Sequence, residues 1–196
     1  MLGRLRERFR KIMAPIGRKL SRTGITPNAL SVIGLLLGLT VAYAYGVEAT
    51  IIGALFIILI GFVDMLDGAV ARATDRTTRF GTVLDHVLDR YVECFIVLGI
   101  IYGGYVHWLW GTFSLFGMFM ASFVRAKAES VGGLKSCTTG IAERQEKLLI
   151  IIIGSILDPL LPSIKTLNYA VLLVGVLSHI TVIQRLSYTW KQTGGF

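Results

Sequence analysis

Cysteine is scarce in this chain. The two present, Cys94 and Cys137, offer neither a disulfide framework nor a thiolate metal pair, and read as packing residues. The histidines, His86, His107 and His179, are scattered, and no chemistry is assigned to them. Acidic residues number 12 against 20 Lys and Arg. The N-terminal stretch is charged throughout and lacks an apolar centre, so no cleavable signal peptide is expected. Lys and Arg are missing from 46–50 and 104–110, and 158–165 holds only Lys165.

What the chain has in abundance is apolar sequence. With 54% hydrophobic residues, a formal charge of +8 over 196 residues and a mean hydropathy of +0.67, a soluble domain is excluded and a membrane protein is expected. No nucleic-acid partner is expected. Apolar runs at 28–47, 49–66, 82–106, 108–124, 147–162 and 166–185 each approach the ~17–25 residues that a spanning helix needs. The expected fold is therefore an all-α integral membrane bundle of six transmembrane helices. Eight cations precede the first run, three lie in 72–79 and five in 125–147, which by the positive-inside rule puts both termini on the cytoplasmic side of a multi-pass cell-membrane protein. Trp108 and Trp110 beside a short external loop read as interfacial anchors.

Before the first run, Leu2, Leu5, Phe9, Ile12, Met13, Ile16 and Leu20 recur at helical spacing with Arg and Lys opposite. That pattern predicts an N-terminal amphipathic interfacial helix on the anionic inner leaflet. The organisation expected is thus an interfacial helix over 1–22, a six-helix membrane domain over 23–190 and a short cytoplasmic tail over 191–196. Thr26 and Pro27 read as the N-cap and first position of the first span. Gly34-x3-Gly38 and Gly99-x3-Gly103 would permit close helix contacts, with packing inside one subunit the expected use.

One stretch breaks the apolar pattern: Asp64-x2-Asp67-Gly68-x2-Ala71-Arg72-x8-Gly81-x3-Asp85-x3-Asp89. An acid at a membrane helix centre costs roughly 2.5–3.5 kcal/mol on insertion scales, so four of them call for a compensating cation or a wet cavity. At about 100° per residue, Asp64, Asp67, Gly68 and Ala71 share one helix face, and Asp85 and Asp89 share a face of the next. Donors that are all carboxylate argue for a hard cation, Mg²⁺ or Mn²⁺, rather than zinc. Gly68 and Ala71 leave the backbone bare, and Arg72 brings a planar charged fork suited to phosphate. A diphosphate substrate fits that combination. A divalent-cation transporter with acids at its midplane is the reading from another class, although Arg72 would oppose cation passage.

Those residues resemble the signature of the CDP-alcohol phosphotransferase family, integral membrane enzymes of phospholipid synthesis. The resemblance implies two metal ions, one on Asp64, Asp67 and Asp85 and the other on Asp64, Asp85 and Asp89, with Asp89 also the catalytic base. It implies a nucleotide held by Gly68, Ala71, Arg72 and Thr78, with Pro27, Asn28, Ala29 and Leu30 lining the cytidine pocket, and a homodimeric assembly among membrane lipids. Residue by residue, the five cations of 125–147 serve the charge bias and pair with Glu129, Glu143 and Glu146. Yet Arg125-Ala126-Lys127-Ala128-Glu129, Glu143-Arg144 and Gln184-Arg185 resemble the branch whose acceptor is inositol phosphate, with arginine and lysine exchanged in the first run. The acceptor phosphate is then expected on Arg125, Lys127, Lys135, Arg144 and Arg185. The reaction implied is transfer of a lipid phosphate from a CDP-linked lipid to inositol phosphate with release of CMP. Glycerol phosphate as acceptor, or CDP-inositol as donor, are the alternatives within the family.

Overall fold

The structure is a computed structural model that describes the backbone of residues 2–74 and 78–194 and the side chains of 12–74 and 78–194. Arg76, one of the cations at 72–79, lies outside the described residues, as do the end of the 191–196 tail and the side chains of Leu2, Leu5 and Phe9. Among the described residues there are seven helices and no strand: α1 (Leu2–Ser21), α2 (Pro27–Gly46), α3 (Thr50–Ala73), α4 (Arg79–Tyr102), α5 (Trp108–Ser130), α6 (Arg144–Leu157) and α7 (Thr166–Gln192).

Local chemistry sets several of the helix starts. Thr26 Oγ1 accepts the Ala29 amide at 3.2 Å with Pro27 next in line, as the sequence predicts, and an N-cap bond of this kind is worth ~1 kcal/mol. Thr78 Oγ1 does the same for Gly81 N at 2.9 Å and opens α4. His107, left without chemistry by the sequence, caps α5 by accepting Leu109 N at its Nδ1, 3.3 Å away. At the head of α7, Lys165 turns the chain at φ +48°, and Asp158 Oδ1 accepts the Leu167 amide at 3.1 Å.

Four helices, α2, α3, α5 and α7, are long and apolar enough to cross a membrane. The other two expected spans differ for distinct reasons. In α4, Asp85, Asp89, Arg90 and Glu93 interrupt the apolar run. Helix α6 has 14 residues, about 21 Å at 1.5 Å per residue against a hydrocarbon core of ~30 Å. The apolar run at 147–162 continues past Leu157, but Pro159 and Pro162 lie beyond it and do not support helix.

Helix α2 lies along α3 and α4, α5 along α7 and α4, and α6 between α3 and α7. Their facing residues make one core that includes Val41, Ile57, Ile96, Met118, Ile151 and Val174, with a buried hydrogen bond of 2.7 Å between Tyr45 Oη and Ser155 Oγ. The outer faces carry exposed Leu36, Leu55, Phe116, Leu149 and Ile183, which suits hydrocarbon rather than water. In lipid, expulsion from water does not drive helices together, so close approach and dispersion must. Glycine provides that approach: a Cβ on Gly99 would lie 2.5 Å from Ala42 Cα, and one on Gly38 3.3 Å from Val92 Cα. Gly34 faces open space, whereas Gly103, at the end of α4, also lies against α2 at the Tyr45 carbonyl, so the first pair contributes one close contact and the second two.

Helix α1 packs on α3. Met13 is buried while Ile12 and Ile16 stay exposed, and a Cβ on Gly17 would meet the Ala69 carbonyl carbon at 2.7 Å. The helix is therefore docked on the protein two residues beyond Asp67, and the described part of its apolar face is divided, with Met13 buried and Ile12 and Ile16 exposed.

Candidate active site

Helix α3 delivers Asp64 and Asp67 to one side of a small cavity, and α4 delivers Asp85 and Asp89 to the other. One carboxylate oxygen from each of Asp64, Asp67 and Asp85 falls within 4.8 Å of the others. Asp89 lines the same cavity of about 20 Å³, together with Ser31, Leu30 and Arg144. That volume holds about one water-sized body. The donors are hard, anionic and half-buried, which is the chemistry of a divalent-cation site and not of a thiolate or imidazole one. Ser31 of α2 steadies the cluster by donating to Asp67 Oδ2 at 3.3 Å.

The cation at this centre comes from an element distant in sequence. Arg144, the first residue of α6, donates Nη1 to Asp64 Oδ1 at 2.8 Å and sets Nη2 2.8 Å from Asp89 Oδ1. The sequence reading placed Arg144 with the acceptor phosphate; in space it also pairs directly with the acids. Beneath it lies Glu93, 1% exposed, with Arg144 Nε at 3.7 Å and Arg90 Nη2 at 2.8 Å. Arg90 also donates to Ser122 Oγ on α5, and Lys147, buried in α6, is a further cation within electrostatic reach of Glu93.

The residues expected at the nucleotide gather around the adjoining helix ends. Pro27 lines a cavity of about 250 Å³ with Ser21, Gly24, Ile25, Thr26 and Thr74, where α1, α2 and α3 meet. Asn28 Oδ1 would lie 3.1 Å from a Cβ at Gly81, and the Arg72 Nη1 folds back to 3.0 Å from one at Gly68. Ala29 is exposed, whereas Leu30 is buried and faces the acids. Ala71 is half-buried on α3, and Thr78 caps α4.

Of the five cations expected at the acceptor, Arg144 is the one that pairs with the aspartate cluster. Arg185 is 5% exposed and donates to two backbone carbonyls, Thr139 O from Nε at 2.9 Å and Ala121 O from Nη1 at 2.6 Å. Arg125 pairs with Glu129 at 3.1 Å, whose Oε1 also accepts the Cys137 amide at 2.9 Å. Gln184 Oε1 accepts Ile141 N at 3.0 Å. Together these side chains strap the 131–143 segment to α5 and α7. Lys127 sits 5.6 Å from the centroid of the Phe123 ring, and Lys135 is exposed on the strapped segment. Sequence reasoning missed Arg90, Glu93 and Lys147. Glu93 was detectable, because it extends the Asp85–Asp89 stripe by one further turn inside an apolar helix.

Fold and cluster together describe an all-helical membrane protein built around a hard-cation site. The chain belongs to the CDP-alcohol phosphatidyltransferase family, whose model matches residues 24–183, and it is by that membership a phosphotransferase. It is 37% identical over 186 residues to archaetidylinositol phosphate synthase of Pyrococcus horikoshii, covering 95% of both chains. Phosphatidylinositol phosphate synthase of Mycobacterium tuberculosis, solved with CDP-DAG bound, superposes with a TM-score of 0.82 at 31% identity, covering 92% of this chain and 94% of that one. The same mycobacterial enzyme in complex with manganese and citrate gives 0.81 at 30% identity, over 91% and 88%.

Proposed function

We propose that the protein transfers the phosphate-linked lipid of a CDP-lipid, CDP-diacylglycerol or CDP-archaeol, to a hydroxyl of inositol phosphate and releases CMP. The observation that carries this reading is Arg144, a permanent cation held inside a carboxylate cluster by Asp64 and Asp89. A cation so placed suits an acceptor that brings its own phosphate, whereas a neutral alcohol would leave it without use. The names of the similar enzymes from Pyrococcus and Mycobacterium support the same acceptor.

In this reaction the acceptor hydroxyl oxygen forms a bond to the phosphorus that bears the lipid. The bond from that phosphorus to the bridging oxygen breaks, and the bridging oxygen leaves with CMP. Asp89, set between α4 and Arg144, takes the hydroxyl proton. Two divalent ions, Mg²⁺ or Mn²⁺, held by Asp64, Asp67, Asp85 and Asp89, would supply neutralisation of the diphosphate and of the leaving phosphate. Gly68 and Ala71 let the nucleotide approach the α3 backbone, Arg72 and Thr78 hold it, and Pro27 to Leu30 border the base. Arg144 receives the acceptor phosphate, with Arg125, Lys127 and Lys135 at the rim, and Arg185 holds the 131–143 segment that carries Lys135.

The proposal includes six spans, with α4 and α6 crossing inside the bundle, where their charged residues face one another. Both termini face the cytoplasm, α1 lies at the inner interface while docked on α3, and the family resemblance adds a homodimer. The test supplies purified protein with CDP-diacylglycerol or CDP-archaeol and either inositol phosphate, inositol or glycerol phosphate, and follows CMP. Release with inositol phosphate alone is expected. Equal release with glycerol phosphate, or none with any acceptor, overturns the assignment.

A further inference from the structure

Glu93 is a buried carboxylate for which the reaction above has no use. It is 1% exposed, and neither oxygen makes a hydrogen bond of good geometry among the described residues, although Arg90 Nη2 stands 2.8 Å away. Charge, rather than directional bonding, therefore holds it. Its neighbours form a chain across the bundle. Ser122 on α5 holds Arg90, Arg90 holds Glu93, and Glu93 faces the Nε edge of Arg144 at 3.7 Å. The other edge of the same guanidinium spends Nη1 on Asp64 and Nη2 on Asp89, each at 2.8 Å.

A divalent cation that binds Asp64 and Asp89 competes with that guanidinium for the same oxygens. Two like charges a few ångströms apart in a half-buried site repel by several kcal/mol before screening, so the guanidinium must yield. An arginine with no other counter-charge would leave the site or resist the ion. Glu93 meets the guanidinium at Nε, apart from the two Nη groups that Asp64 and Asp89 hold, one turn below Asp89 and braced from α5 through Arg90.

We propose that Glu93 is the positioning residue of Arg144: it retains the guanidinium by its Nε edge when a divalent cation claims Asp64 and Asp89, leaving the two Nη groups free for an anionic acceptor. This rests on the metal-dependent transfer proposed above. Glu93 touches neither substrate nor metal and acts only through Arg144.

The test is a double-mutant cycle read in Mn²⁺ affinity, measured by calorimetry on purified full-length protein without substrates. Arg144→Ala removes the competitor and should tighten Mn²⁺ on the order of tenfold. Glu93→Gln leaves the guanidinium leaning on Asp64 and Asp89 alone and should weaken Mn²⁺ by roughly three- to tenfold. In the Arg144→Ala background Glu93→Gln should then change nothing. If the loss of one negative charge acted simply through its field, the weakening would persist in that background, and the proposal would be overturned. It is overturned equally if Glu93→Gln leaves Mn²⁺ affinity unchanged in the parent, or if Arg144→Ala weakens it. Glu93→Asp, which keeps the charge and withdraws it by one methylene, covers the case in which the glutamine variant does not fold, and should weaken Mn²⁺ in the same direction to a smaller degree; no change there also counts against the role. Because the readout contains no acceptor, a different acceptor in the CMP assay would defeat the proposed function and leave this cycle standing.

Discussion

Asp89→Asn separates base chemistry from binding because the change is isosteric. Asp89 Oδ1 pairs with Arg144 Nη2 at 2.8 Å and the side chain is 16% exposed, so an amide oxygen can occupy the same place beside the arginine. At the arginine, what is lost in the ground state is the difference between a charge-assisted contact, ~1.5–3 kcal/mol, and a neutral one, ~0.5–1.5 kcal/mol, while the amide oxygen stays available to a metal ion as a neutral ligand. That difference of about 1 kcal/mol corresponds to roughly fivefold in binding. What is lost in the transition state is the proton acceptor, typically 10²–10⁴-fold in rate, or about 2.7–5.4 kcal/mol. The second term exceeds the first by at least ~1.5 kcal/mol, so kcat should fall by about two orders of magnitude or more while CDP-lipid affinity changes by less than about tenfold. CMP release under saturating substrates gives kcat, and calorimetric titration with the CDP-lipid gives the affinity. Equal losses in both would mean that Asp89 holds the metal or the arginine and takes no proton; an unchanged kcat would remove it from the chemistry.

Chelation by EDTA should abolish CMP release and Mg²⁺ or Mn²⁺ should restore it, since the donors around the cavity are carboxylates; full activity in chelator would refute the metal reading. Arg185→Ala leaves the Thr139 and Ala121 carbonyls without their guanidinium, at ~1–3 kcal/mol per buried group. The expected result is faster proteolysis or amide exchange in the 131–143 segment together with weaker acceptor use. A rise in the acceptor KM with that segment unchanged would mean that Arg185 binds phosphate and does not strap the loop. Gly99→Val should prevent stable assembly, because its Cβ meets the Ala42 backbone at 2.5 Å, whereas Gly34→Ala, with open space at that point, should fold as the parent does; thermal unfolding in detergent distinguishes them.

Sequence alone determined what depends on short-range periodicity. Asp64 and Asp67, and Asp85 and Asp89, lie three or four residues apart in helices, and a repeat of 3.6 residues sets each pair on one face whatever the rest of the chain does. The Thr26–Pro27 helix start was legible for the same reason, since a cap involves residues three apart. Tertiary structure decided which faces meet. Arg144 reaches Asp64 across 80 positions of sequence, and no helical periodicity relates it to the aspartates it meets. The charge of Arg185 was legible, while the two carbonyls that hold it, on α5 and on the strapped segment, become neighbours only once α5 packs on α7. The apolar run that contains α6 continues through Pro159 and Pro162, so hydropathy left open where the helix ends, and the tertiary structure ends it at Leu157. The physical reason is common to all three: backbone geometry fixes the direction of a side chain from its nearest neighbours in sequence, but its partner is chosen by close packing between helices, where glycine contacts such as Gly99 on Ala42 set the approach.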